Sequence, residues 1–327
     1  MSREGRVTGR ASSRRLASLL CGVMTWGALP AHGAEPADRR DQHLEDDGLP
    51  SLPGLSHSGV AFNFEYTVAV TEATDVVSHR PIESGSAYAY LARWLVETEL
   101  YRQRWYFGAT ADVAAASVPS GDTPETGGST PVLGNPELWF RGLWSSLSGL
   151  SAGGGLGLVI PVPRTFSGLE TEVVRSIRVV RPADVSHFQD MTVTTRPFFD
   201  IRHITGPLTL QMRQGLNFSL LLRDRAEQEN RYDLAGFISA YLGLTTLDEL
   251  TLAVEVSEVY ELTADVSSPQ CLAPCDAHRA AFTLSPIIRL RLPRLSPALS
   301  ALIPLSTPLR AEVASYFAVR LHLDAVF

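Results

Sequence analysis

From Val60 onward, large apolar residues recur at every second position, in several runs for ten residues or more. A period of two means extended chain with two chemically different faces. Val60, Phe62, Phe64, Tyr66, Val68 and Val70 share one face; Asn63, Glu65 and Thr67 lie on the other. The pattern returns in 88–96, 105–113, 208–220, 250–256 and 282–292, each time with small, polar or charged residues between the apolar ones. Soluble sandwiches also alternate, but soluble strands average about five or six residues. A strand tilted across a bilayer takes about 9–11. Arginine and glutamate sit in mid-strand on the second face, as in Arg93, Glu97, Arg213, Glu255 and Arg289. These features predict an all-β chain, an antiparallel up-and-down barrel with its apolar face toward lipid and its polar face inside. It has to close, because an open sheet edge in hydrocarbon leaves backbone groups without partners. No stretch combines convincing 3.6-residue periodicity with caps, so helices are expected to be nearly absent.

The last strand is more specific. Phe317, Val319, Leu321, Leu323, Ala325 and Phe327 form one face, and Tyr316, Arg320, His322 and Asp324 the other. This segment resembles the C-terminal strand by which bacterial outer-membrane β-barrels are recognised for insertion. The resemblance implies a transmembrane barrel in the outer membrane of a Gram-negative bacterium. It also implies contact with outer-membrane lipid and with the barrel-assembly machinery through Phe317, Val319, Leu321, Leu323 and Phe327.

Twelve strands are predicted, near 60–72, 86–98, 104–116, 136–147, 151–162, 191–203, 207–222, 233–243, 249–263, 280–292, 296–305 and 312–327. Their connections alternate short and long, with long ones at 72–85, 117–135, 163–190, 223–232 and 263–279. Outer-membrane barrels have tight periplasmic turns and larger extracellular loops, which predicts that both termini are periplasmic. Trp94, Trp105, Trp139 and Trp144 are candidates for the interface girdles.

Residues 1–33 read as a secretory signal peptide: five arginines, an apolar run from Leu16 to Leu29, and Ala31-His32-Gly33 before the cut. Residues 34–58 are acidic and proline-containing, too short for a plug domain, and read as a flexible periplasmic leader; the barrel is 59–327. Cys271 and Cys275 would then be the cysteines of the exported chain, and the Ala-Pro between them suits one local disulfide. Two thiols and His278 are too few for a zinc site, and no other metal or cofactor motif occurs.

Composition narrows the partners. The chain carries 28 basic and 35 acidic residues, a net charge of −7. Every basic residue is arginine, which reduces the weight that any single arginine carries. A phosphate-binding face needs the opposite excess, so nucleic acid is not an expected partner. G-x-S-x-G occurs at Gly149–Gly153, but the nucleophile elbow needs a strand-to-helix turn in an α/β sheet. The Gly-rich run 153–157 lacks the dinucleotide spacing and a following helix. An enzyme is therefore not expected, an outer-membrane lipid hydrolase being the third-ranked reading. The lumen is where function is sought. Alternation turns Arg93, Arg104, Arg141, Arg196, Arg202, Arg213, Arg289, Arg291 and Arg320 inward, with Glu65, Asp112, Glu255 and Asp324 among the inward acids. Such a lining fits a ladder of cross-strand ion pairs, or a pore whose arginines select anions. The leading expectation is passive or facilitated passage of small solutes; the alternative is a non-conducting structural or loop-presenting barrel.

Overall fold

Alternation over ten or more residues leaves each strand one way to satisfy both faces, and the neighbouring hairpins do so together. The computed structural model describes residues 59–74, 81–102, 104–117, 131–145, 149–163, 170, 173–174, 177, 180–222, 231–247, 249–263, 280–292, 294–306 and 316–327. The predicted signal peptide, the leader, Cys271 and Cys275 lie outside the described residues. The strands are β1 (Val60–Thr74), β2 (Pro81–Tyr101), β3 (Trp105–Ser117), β4 in two pieces (Val132–Leu133 and Glu137–Ser145), β5 (Leu150–Val159) and β6 (Thr192–Thr205). They continue as β7 (Leu208–Leu221), β8 (Tyr232–Leu247), β9 (Leu250–Glu261), β10 (Ala280–Leu290), β11 (Leu295–Pro304) and β12 (Tyr316–Val326). Each strand pairs antiparallel with its neighbour in sequence, and β1 pairs with β12 from Ala61↔Val326 to Thr71↔Tyr316, which closes a barrel of 12 strands.

Both pieces of β4 pair with β3, and the break between them falls at Gly134-Asn135-Pro136. The short connections gather at one end of the barrel and the long ones at the other. Gly149 (φ 74°) turns the chain between β4 and β5 where a Cβ would lie 2.4 Å from the Ile204 carbonyl oxygen. The G-x-S-x-G run thus spans a strand-to-strand turn.

The two faces divide as the alternation requires. Tyr66, Trp94, Phe140, Leu156, Ile288 and Leu321 are exposed outward, whereas Glu65, Arg93, Arg141, Arg289 and Arg320 are buried inside. Phe317, Val319, Leu321 and Phe327 belong to the exposed side, and Leu323 is half-buried. Large apolar side chains exposed around a closed barrel, with charges within, are stable in hydrocarbon and not in water. Leu321→Arg, in mid-strand on that outer face, is expected to destabilise the barrel by about 2–4 kcal/mol. Urea unfolding in lipid vesicles, read by tryptophan fluorescence, checks this.

One expectation is corrected. Trp139 is not in a girdle: it is inside the barrel, over Gly108, where a Cβ would come within 2.3 Å of the indole. Its neighbours Leu138 and Phe140 hold the outer face, so the strand's own period sends Trp139 inward. Helices are few, 6% against 78% strand, and among the described residues they fall in one place. Val173, Val174, Ile177 and Val180 are helical, and a 3-10 helix runs over Pro182–Phe188. This segment, from the long β5–β6 connection, does not stay outside the barrel. Val173, Ile177 and Phe188 pack on Leu91, Ala114, Ala116 and Val132, and Val180 packs with Ala69, Ala89, Leu302, Tyr316 and Ala318.

Candidate functional site: the strapped lumen

The interior begins as a ladder of charges. Arg93 donates to both oxygens of Asp112, its register partner on β3, at 2.8 Å each. Arg213 binds Asp200, its register partner on β6, through Nε and Nη2. Other pairs reach past an intervening strand and need room to do so. Arg141 donates to Glu97 at 2.8 and 2.5 Å, two strands away, with Gly108 on β3 between. Arg196 meets Glu137 at 2.9 Å above Gly157, where a Cβ would lie 2.1 Å from a Glu137 carboxylate oxygen. Arg320 reaches Glu255 at 2.9 Å and donates to Ser300 at 3.0 Å. Small residues on the strand in between make these longer pairings possible. The glycines of 153–157 that face inward serve this end: Gly155 also lies under the Phe198 ring, which a Cβ would approach to 2.5 Å.

The inward segment, here termed the strap, completes the network. Arg181 binds Glu65 on β1 and lies 2.6 Å from Asp184, one turn on; Asp184 in turn lies 3.0 Å from Arg93. His187 sets Nδ1 against Asp112 and Nε2 3.1 Å from Glu137. Arg196 Nη1 lies 2.8 Å from the same Nε2. The break in β4 is the socket for this contact. With no ladder to serve there, the Asn135 amide donates to the His187 carbonyl, and Asn135 Nδ2 donates to Gln189 O at 2.7 Å. Pro182 opens the 3-10 helix, where a missing amide costs nothing.

These partners fix the strap's charge state. Burial pushes His187 down, but Asp112 and Glu137 outweigh it and hold the imidazole above its ordinary value. Burial pushes Asp184 up, yet Arg181 and Arg93 hold its carboxyl well below the usual range. The strap therefore sets a histidine whose protonated form is favoured between two carboxylates, and an anionic carboxylate between two arginines.

Beside the strap a cavity of about 160 Å³ remains, bounded by Val180 to Asp184 on one side and by β2 to β4 and β6 to β12 on the other. Among the residues predicted to line the lumen, Arg93, Arg141, Arg202, Arg289, Arg320, Glu65, Asp112 and Glu255 are buried, and Arg196, Arg213, Arg291 and Asp324 are half-buried. Arg289 lies 3.5 Å from Asp324, and Arg291 bonds Thr251 and Thr245 near the end that carries the short turns. Arg104 is the exception. It lies in the turn before Trp105, exposed, because side alternation begins only with the strand. Sequence reasoning missed Arg181, Asp184 and His187; the spacing Val173, Ile177, Val180 was the available signal of an apolar helical stripe.

No family model matches the sequence, and no curated protein matches it. Among solved structures, it is similar to an outer membrane channel from Pseudomonas putida F1. The TM-score is 0.56 at 10% identity, over 90% of this chain and 100% of that one. It also aligns with the KdgM porin solved with disordered oligogalacturonate (TM-score 0.42, 10% identity, 81% and 99% covered). A third match is the beta domain of the Bordetella autotransporter Brka (TM-score 0.43, 10% identity, 82% and 100% covered). The fold likeness rests on the first of these.

Proposed function

We infer that this chain, which folds as a bacterial outer-membrane β-barrel, is a narrow channel for small solutes whose lumen is throttled by its own strap. The observation that carries this reading is the character of the strap's docking. It holds the wall through ion pairs and a histidine as well as through the apolar contacts of Val173, Ile177, Val180 and Phe188, and leaves a cavity beside it. Charged contacts of this kind respond to ionic conditions, which a purely apolar plug would not. The long-connection end is assigned to the cell exterior, and the short turns to the periplasm.

The test is conductance in planar bilayers as pH is raised. A group whose value is raised on folding contributes fully below its unfolded value, about 6.5 for histidine, and its contribution fades as pH climbs through the raised value. Deprotonating His187 removes the cation between Asp112 and Glu137, so strap docking weakens toward alkaline pH. Current is expected to be small at pH 6 and to grow on alkalisation, and His187→Gln is expected to flatten that dependence. Absence of current at every pH and voltage would overturn the channel reading. One observation favours a second reading: each arginine in the ion pairs described above already has a carboxylate, as a closed structural barrel requires. Silence in both the native barrel and a strapless variant would establish that alternative.

A further inference from the structure

The cavity beside the strap has an uneven distribution of charge. Arg93, Arg141 and Arg213 face it, and three of their carboxylates, Asp112, Glu97 and Asp200, do not line it, although Asp184, which also meets Arg93, does. Those three acids stand behind their arginines, and six arginines line the cavity against four acids, Glu137, Asp184, Glu255 and Glu258, so the surface a solute meets is richer in guanidinium than in carboxylate. Arg213 spends Nε and Nη2 on Asp200 and lies 4.5 Å above the Phe198 ring, and its Nη1 makes no hydrogen bond among the described residues. Arg320 spends Nε on Ser300 and Nη2 on Glu255, and its Nη1 is likewise unused among the described residues. The two arginines belong to one band: Glu255, which holds Arg320, accepts from Ser239 at 2.6 Å, and Ser239 is the register partner of Arg213. Part of the wall is apolar: Val180 and Pro182 of the strap line it together with Phe237, Val259, Ala281 and Leu302.

We propose that this cavity binds a small organic carboxylate, with its head on the open guanidinium edges of Arg213 and Arg320 and its hydrocarbon body between the strap and Val259 and Leu302. A planar fork with one edge already anchored on a carboxylate is preorganised for a second oxyanion. A volume near 160 Å³ matches cavities that take up a single small apolar molecule of about benzene's size. Inorganic anions lack the body that the apolar wall would desolvate. Alcohols and ammonium ions of the same length lack the charge that the edges meet. The proposal names the solute class for the channel reading and rests on it, but binding is read without a membrane.

The experiment titrates the purified full barrel, held in amphipol, with butanoate, butan-1-ol, butyltrimethylammonium and chloride by calorimetry. Butanoate is expected to bind about ten-fold or more tighter than the other three, the scale of a hydrogen bond to a charged group. Arg213→Lys keeps a cation beside Asp200 but loses the fork, and is expected to weaken butanoate by a similar factor without moving butan-1-ol. Ser257→Trp, which fills the cavity from β9, is expected to abolish butanoate binding, with heat-dependent gel mobility reporting that the barrel remains folded. Equal affinities for butanoate and butan-1-ol, or butanoate binding that survives both substitutions in folded protein, overturns the site. Butanoate binding in a barrel that passes no current leaves the site standing and removes the channel. Current without butanoate binding does the reverse.

Discussion

Excision of residues 170–188, with a short Gly-Ser link in their place, is expected to raise single-channel conductance several-fold and to remove its pH dependence. The strap spans the lumen from β1, where Arg181 meets Glu65, to β4, where His187 meets Glu137. Val173, Ile177, Val180 and Phe188 are all nearly fully buried in the native barrel. Burying a side chain of this size contributes about 1.5–3 kcal/mol, so the strap stays docked for most of the time rather than fluttering open. Once it is gone, the charges that it covered face water, and the wall pairs Arg93–Asp112 and Arg213–Asp200 remain without it. The barrel is therefore expected to survive, as gel mobility before and after heating would record. Conductance unchanged by the excision would mean that the strap does not limit passage.

Asp112→Ala is expected to cost about 3–5 kcal/mol, the scale of breaking a buried ion pair from one side. Asp112 is fully buried and binds both Arg93 and His187, so its loss leaves Arg93 with Asp184 alone and His187 with Glu137 alone. Its backbone carbonyl also receives the Gly134 amide at 2.6 Å, which ties the socket for the strap to the same residue. Equilibrium unfolding in urea measures the loss. A double-mutant cycle with His187→Ala is expected to show a strong coupling, because the two side chains are in direct contact and part of the penalty disappears when the ring is removed with its partner. A cost below about 1 kcal/mol would place Asp112 in a wet, screened environment and dismantle the account of the network.

The strands were legible because alternation over so many residues admits one extended geometry, and a single-residue slip would expose every charge to lipid. Val68 and Leu321 could be assigned to the outer face from their neighbours alone. The strap was not legible, and the reason is physical. Its helical stripe Val173, Ile177, Val180 is short, and its direction is decided by Glu65, Arg93 and Asp112, far away in sequence. The ion pairs were half visible: Arg93 and Asp112 oppose each other once the hairpin register is known. Arg196 with Glu137 depends on Gly157 on the strand between them, and a pairing that skips a strand cannot be read from the local pattern. Arg104 and Trp139 mark the limits of a side assignment, the first because it precedes its strand, the second because strand position overrides the preference of tryptophan for an interface.

The strap also bears on how the cylinder comes together. Asn63 and Asp324, which bond across the closing pair, stand 261 positions apart, so both flanking strands present bare edges until that pair forms. Contacts this distant in the chain are slow to form. Val180 rests on residues from either side of that junction, Ala69 and Ala89 on one and Leu302, Tyr316 and Ala318 on the other. Arg181 grips Glu65 beside them. The full cradle for these two residues exists only after the wall has become a ring. The strap then acts as an internal stitch, so the step that finishes the wall also obstructs the passage within it.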